Sequence, residues 1–331
     1  MSAIRKILIA VKNPDARRQP GVDKAVHIAK RLGASVELFN AISTPVFLEL
    51  EPLTGHTVAE IRREALALRR ARLEKLAARA RKRGVKASSA VEWDFPPHEA
   101  IVRRADHCGA DLIVAECHEG RRLKPWLMHL TDWELLRMSP LPVLLLKNAK
   151  LWREPTILAA VDPSHAHAKP VKLDAAIVAQ AVSLTRALRG SFELMHANFP
   201  AGFAFAAGDP AIGAMTLATA YDQQKERSRK EFERFADKAR IPRASRQLVD
   251  SDPLFAIPHL ARKLGADLVV MGAVSRSGIK RVFIGNTAER VLDDLPCDVL
   301  VIKPANSASR VVGKPRGMRV MAPQPLMPMT G

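Results

Sequence analysis

Gly109-Ala110-Asp111-Leu112-Ile113-Val114 returns further along the chain as Gly265-Ala266-Asp267-Leu268-Val269-Val270. Pro140, with Val143, Leu144, Leu145, Leu146 and Lys147, returns as Pro296 with Val299, Leu300, Val301, Ile302 and Lys303. Both matches sit at an offset of 156 residues, with no gap between them. The run Ile7-Leu8-Ile9-Ala10-Val11 has its counterpart in Ile157-Leu158-Ala159-Ala160-Val161. Solenoid repeats recur every few tens of residues, so a period this long means duplication of a whole domain. Each copy is long enough to bury its own core.

Within each copy, short aliphatic runs alternate with helical patterns, the signature of a parallel α/β sheet with helices on both faces. The strands are predicted at residues 6–11, 35–40, 87–92, 111–115 and 142–147, and again at 156–161, 191–196, 244–249, 267–271 and 298–303. Val22, Val26, Ala29 and Leu32 form one apolar helical stripe, and Leu173, Ile177, Ala181, Leu184 and Leu188 form its counterpart. Gly33 and Gly190 stand where those helices call for a left-handed residue. Long helices are predicted over 58–83 and 217–240. The expected domains are 1–150 and 151–304, followed by a disordered basic tail over 305–331, where periodicity is lost and Pro, Met, Gly and Arg accumulate.

No apolar run reaches the length of a membrane span, and the first residues lead straight into a strand, so the expectation is a cytoplasmic protein with no membrane partner. Three cysteines, Cys108, Cys117 and Cys297, show no zinc-ribbon spacing and read as reduced thiols. The net charge is +18, and eleven Lys/Arg against three acids crowd residues 58–86. No aromatic residues interleave with these charges, so a solvated helix face is expected and not a nucleic-acid surface. Cys117, His118 and His129 are metal-type donors without a standard spacing, and no metal site is assigned.

Ligands of doubly wound sheets bind beyond the carboxyl ends of the strands. In the second copy that rim carries Asp162-Pro163-Ser164 and the run from Gly272 to Thr287, in which Gly285-Asn286-Thr287 opens a helix. A glycine there lets backbone approach a phosphate, and the free amides of a helix start attract anions; Asn286 or Thr287 also suits a plain helix cap. Val161-Asp162-Pro163-Ser164, the Gly265–Gly272 strand, the Gly285–Leu292 helix start and the closing Cys297–Pro304 strand resemble a universal stress protein domain, here in its duplicated form. The resemblance implies two tandem flavodoxin-like (adenine nucleotide alpha hydrolase-like) α/β domains, each a five-stranded, mainly parallel sheet. It implies pairing of the two as an intramolecular pseudo-dimer through the last strands, around Val143–Leu146 and Val299–Ile302, and leaves a homodimer of whole chains open.

Carried over onto this sequence, the family's nucleotide motif falls on Asp162, Gly272, Ser275, Gly285, Asn286 and Thr287, with Ser275 replacing a glycine and Asn286 replacing a hydroxyl residue. The implied ligand is a small phosphorylated molecule, an adenine nucleotide such as ATP or another phosphorylated metabolite. In the first copy the same positions hold Lys12, Glu116, Glu119, His129 and Leu130, with Trp126 and Trp133 nearby, and carboxylates there oppose a bound anion. That copy reads as a retired site. No nucleophile–base pair stands out, so no catalytic residue is assigned and the expected output is a stress-response function without turnover. Two other readings stay open: a weak ATPase, and a binding protein for an apolar or lipid-like ligand held under the Phe-rich segment 197–216.

Overall fold

The aliphatic runs become strands, each within about two residues of its predicted place. The computed structural model describes residues 4–47, 55, 57–117, 125–164, 172–199, 214–272, 291–304, 311 and 313–321, with backbone alone at Phe47, 125–131 and 214–217. The first repeat runs β1 (Lys6–Ala10), α1 (Pro20–Leu32), β2 (Ser35–Ile42), β3 (Val46–Phe47), α2 (Val58–Lys82), β4 (Ala87–Trp93), α3 (Pro97–His107), β5 (Leu112–Glu116), α4 (Pro125–Met138) and β6 (Val143–Leu146). The second runs β7 (Thr156–Val161), α5 (Leu173–Leu188), β8 (Ser191–Ala197), α6 (Ala214–Lys238), β9 (Arg246–Val249), α7 (Pro253–Lys263), β10 (Leu268–Gly272) and β11 (Asp298–Ile302), and β12 (Val320–Met321) comes last.

Two compact units result, and their borders do not follow the repeat. One holds residues 4–116, α4 and residues 313–321; its strands run β4-β2-β1-β5, all parallel. The other begins at Pro140 and holds β6 with the second repeat, in the order β6-β11-β10-β7-β8-β9. Five of these six strands are parallel. The last strand of the first repeat, β6, lies antiparallel to β11 with Leu144 opposite Leu300, so the expected pairing of the two closing strands is present within this unit. It gives both aliphatic runs a hydrogen-bonded neighbour.

The repeated Gly-Ala-Asp sentence is structural. Gly109 and Gly265 adopt φ of +66° and +59° after α3 and α7, conformations that side chains resist. Asp111 Oδ2 accepts the amides of Arg5 and Lys6 at 2.8 and 2.9 Å, and Asp267 Oδ2 accepts that of Thr156 at 3.1 Å. Each aspartate thus pins the start of a neighbouring strand. Gly33 takes the left-handed position after α1 as predicted, but after α5 it is Arg189, at φ +56°, that does so. Gly190 serves another need: a Cβ there would strike the Pro155 carbonyl, whose oxygen accepts the Ser191 amide.

Residues 313–321 correct the expected disorder of the tail. They lie against the first unit, with Val320 and Met321 paired parallel to Val46 and Phe47. Polar contacts hold them, which hydrophobic periodicity does not register. Among the described residues no helix is long and apolar enough to cross a membrane.

Candidate functional site

The second repeat's strand order reverses between β7 and β10, which makes their carboxyl ends the topological switch point. Met271 lies opposite Ala160, so Asp162 and Gly272 leave adjacent strand ends. Gly272 is fixed by packing: a Cβ would come within 2.8 Å of Leu173 Cδ2 and 3.1 Å of Ile177 Cδ1, on the first two turns of α5. Asp162, partly exposed, accepts the Ser164 hydroxyl at 3.1 Å, and its amide donates to Asp174 Oδ1 at 3.2 Å. Of the predicted ligand residues, the structure brings Asp162 and Gly272 to one rim. Ser275, Gly285, Asn286 and Thr287 lie outside the described residues.

The sequence places His165, His167 and His196 near the first two strand ends of the second copy, and the structure fixes the last of these. His196, at the end of β8 and almost fully buried, places Nδ1 3.1 Å from the Val161 carbonyl oxygen and 3.9 Å from Asp162 Oδ1. A carbonyl only accepts, so Nδ1 carries a proton, and Nε2 lies in hydrogen-bond contact with the Ser228 hydroxyl at 2.7 Å. Ser228 lies on α6, and the His196 ring stacks on Phe232 of the same helix at 5.7 Å. One residue past β8, Asn198 donates to Asp250 Oδ1 at 2.9 Å, while Lys225 donates to Asp250 Oδ2 at 2.8 Å. The Lys225 hydrogen bond, followed by that from Asn198, holds the Asp250 carboxyl below its ordinary range. Asn198 Oδ1 is buried and has no hydrogen-bond partner among the described residues. The described rim is therefore rich in acceptors: Asp162, Asp174, Asp250 and the Asn198 carbonyl.

The corresponding place in the first repeat is closed. Glu116 ends β5, and its Oε1 accepts the amide of Gly21 in the first turn of α1. A carboxylate on that orphan amide does the work of a helix cap, and Gln19 at the cap position makes no side-chain cap bond of its own. At the 156-residue offset Gly272 faces Ile177, whereas Glu116 faces Gly21, so the large and small partners have changed places. A Cβ on Gly21 would collide with the Glu116 side chain. What remains among Val11, Gln19, Gly21 and Glu116 is a cavity of about 10 Å³, room for one water. Lys12, where the second repeat has Asp162, donates to both oxygens of Asp132 at 2.9 and 3.1 Å.

A family model described as the universal stress protein family matches residues 3–147 and again residues 155–303. The chain belongs to the universal stress protein family. Universal stress protein E of Escherichia coli strain K12 is 29% identical over 316 residues, covering 91% of this chain and 95% of that one. Among solved structures, PA1789 of Pseudomonas aeruginosa PAO1 superposes with a TM-score of 0.70 at 26% identity, covering 92% of this chain and 94% of that one. A universal stress protein from Archaeoglobus fulgidus shares the fold, with a TM-score of 0.59 at 15% identity over 90% of this chain and 97% of that one.

This universal stress protein shows no cluster of three metal-type side chains among the described residues; His118 and the His129 side chain lie outside them. Burial, with Asp298 adjacent, pushes the Cys297 thiol up to about 12, far from the thiolate that redox chemistry needs. The Phe-rich segment is described only as far as Phe199 and again from Ala214.

Proposed function

We propose that this universal stress protein acts in the cytoplasm as a non-catalytic stress-response protein, its second repeat holding a small phosphorylated ligand, an adenine nucleotide. The observation that carries the reading is the asymmetry of the two switch points. One is stoppered by its own glutamate on the Gly21 amide; the other keeps glycine at the strand end and a partly exposed aspartate beside it. The acceptor-rich rim suits the donors of such a ligand, namely the exocyclic amine of adenine and the ribose hydroxyls. Asp162 and Asn198 are the residues we assign to the base, with the phosphates falling to Gly272, Ser275, Gly285, Asn286 and Thr287. In this reading the bound nucleotide is a signal and not a fuel; the Ser164 hydroxyl on Asp162 is the one described pair on the rim that a hydrolase could use, and the phosphate-release arm below tests it.

Titration calorimetry with ATP and Mg²⁺ on the full chain tests this. Asp162→Ala is expected to weaken binding about ten-fold or more, as loss of a charged hydrogen-bond acceptor does, and Lys12→Ala to leave it unchanged. Equal affinity in Asp162→Ala and the parent would remove the second repeat from consideration. Phosphate release above that of Asp162→Ala would make the protein an ATPase instead.

A further inference from the structure

The carboxyl end of β4 and the start of α3 form a notch with unbalanced charge. Asp94 and Glu99 are both almost fully buried there, and a single buried guanidinium, Arg103, pairs with both of them, through Glu99 at 3.1 Å and through Asp94 directly. Two carboxylates against one guanidinium leave one negative charge, and a buried charge calls for a partner. Residues 313–321 supply it. Arg316 donates Nε and Nη2 to the two oxygens of Glu99 at 3.0 and 2.6 Å, the bidentate geometry that suits a guanidinium and not an ammonium.

The consecutive amides of Arg316 and Gly317 both donate to Asp94 Oδ1 at 2.9 Å, a backbone nest around a carboxylate. Gly317 sits at φ +78° with nothing within 4 Å of where a Cβ would be, so conformation alone requires glycine there. Arg319 lies over the Phe95 ring at 3.6 Å, and its carbonyl accepts the Val46 amide at 2.9 Å. The pattern read is thus Arg-Gly-x-Arg, by two carboxylates and one ring.

The hold is strong in charge and weak in burial. The Arg316 side chain is 58% exposed, and the apolar residues of the segment, Val320 and Met321, are 46% and 40% exposed. Lifting the segment uncovers little apolar surface, and the notch keeps Arg103 when it goes. The second repeat does not build this feature: at the same offset Asp250 is kept, but Glu99 becomes Phe255 and Arg103 becomes His259.

We infer that the Asp94–Glu99 notch is a docking site for arginine–glycine segments, filled in this chain by its own residues 313–321 as a reversible latch. Release of the latch opens an acidic peptide-binding surface on the repeat whose ligand crevice is closed. This stands independently of what the second repeat binds.

A fluorescent synthetic peptide of residues 313–321 tests the assignment by anisotropy against the full chain. The double variant Arg316→Ala/Arg319→Ala, whose own latch is undone, is expected to bind the peptide at least about ten-fold more tightly than the parent, whose notch is filled. Binding weakens steeply between about 50 mM and about 500 mM salt, since half-exposed charges are screened. Adding Glu99→Gln to the double variant abolishes binding. A peptide carrying Arg316→Ala also fails to bind, and this last arm does not depend on the folding of any notch variant. Equal peptide affinity for parent and double variant, or undiminished binding of the Arg316→Ala peptide, would overturn the inference.

Discussion

At the scale of single residues, the two repeats differ by an exchange of volumes and charges at one place. Glu116 against Gly21 in the first repeat answers Gly272 against Ile177 in the second. Such pairs couple, because a large side chain is tolerated only opposite a small one. Gly21→Ile alone is expected to cost about 1–3 kcal/mol through its clash with Glu116. Glu116→Gly alone leaves the α1 amides uncapped and a void, and the double change recovers much of either loss. Denaturant unfolding of the three variants gives the coupling energy; simple additivity would show that the two residues do not share the space. The sequence by itself showed that Glu116 replaces a glycine and that a carboxylate opposes an anion there. It did not show that this carboxylate accepts the Gly21 amide in the first turn of α1, since Gly21 and Glu116 are 95 residues apart and only packing brings them together.

At the scale of elements, β6 is the strand whose surroundings periodicity left open. Its four aliphatic residues announce a buried strand, but not the direction of its neighbour. The answer is written in polar contacts at its end. Lys147 donates its ammonium to the carbonyls of Leu292, Leu295 and Asp293 at 2.8, 2.5 and 3.3 Å, closing the helical turn of residues 291–294, while its amide donates to Asp298 Oδ1 at 2.7 Å. A cation on orphan carbonyls is favoured both as a hydrogen-bond donor and by the helix dipole. Lys147→Met keeps the stem and removes the charge, and is expected to destabilise the unit by about 1–3 kcal/mol, read from the denaturant midpoint. Arg189 shows the same limit of legibility: nothing in the sequence assigns the left-handed turn to it over Gly190 until the Pro155 carbonyl is in place.

At the scale of the whole molecule, duplication in sequence did not produce two compact units that are consecutive in the chain. The chain gives β6 to the unit of the second repeat and returns residues 313–321 to that of the first. A fragment of residues 1–150 therefore carries β6 without β11, an aliphatic strand with its partner edge bare, and such edges seek other chains. That fragment is expected to self-associate in sedimentation experiments where the full chain does not do so through β6, and Leu144→Lys within it to relieve the association. A monodisperse monomer of the unmodified fragment would mean that β6 needs no partner. The surplus of positive charge has structural uses as well: Arg69 and Arg72 of α2 both reach Asp15 in the loop after β1, at 2.6 and 3.2 Å.

The amino-acid order alone determined the duplication, the α/β class and the place of nearly every strand, because each of these follows from local periodicity and a constant offset. Only the tertiary structure decided which glycines serve conformation and which serve close approach, that Glu116 stoppers one crevice, that His196 comes within 3.9 Å of Asp162 while Asn198 bonds Asp250, and that a segment without periodicity is held by two buried acids. All of these depend on groups far apart in the chain meeting at distances of a few ångströms, where sterics and unpaired charge, not pattern, settle the outcome.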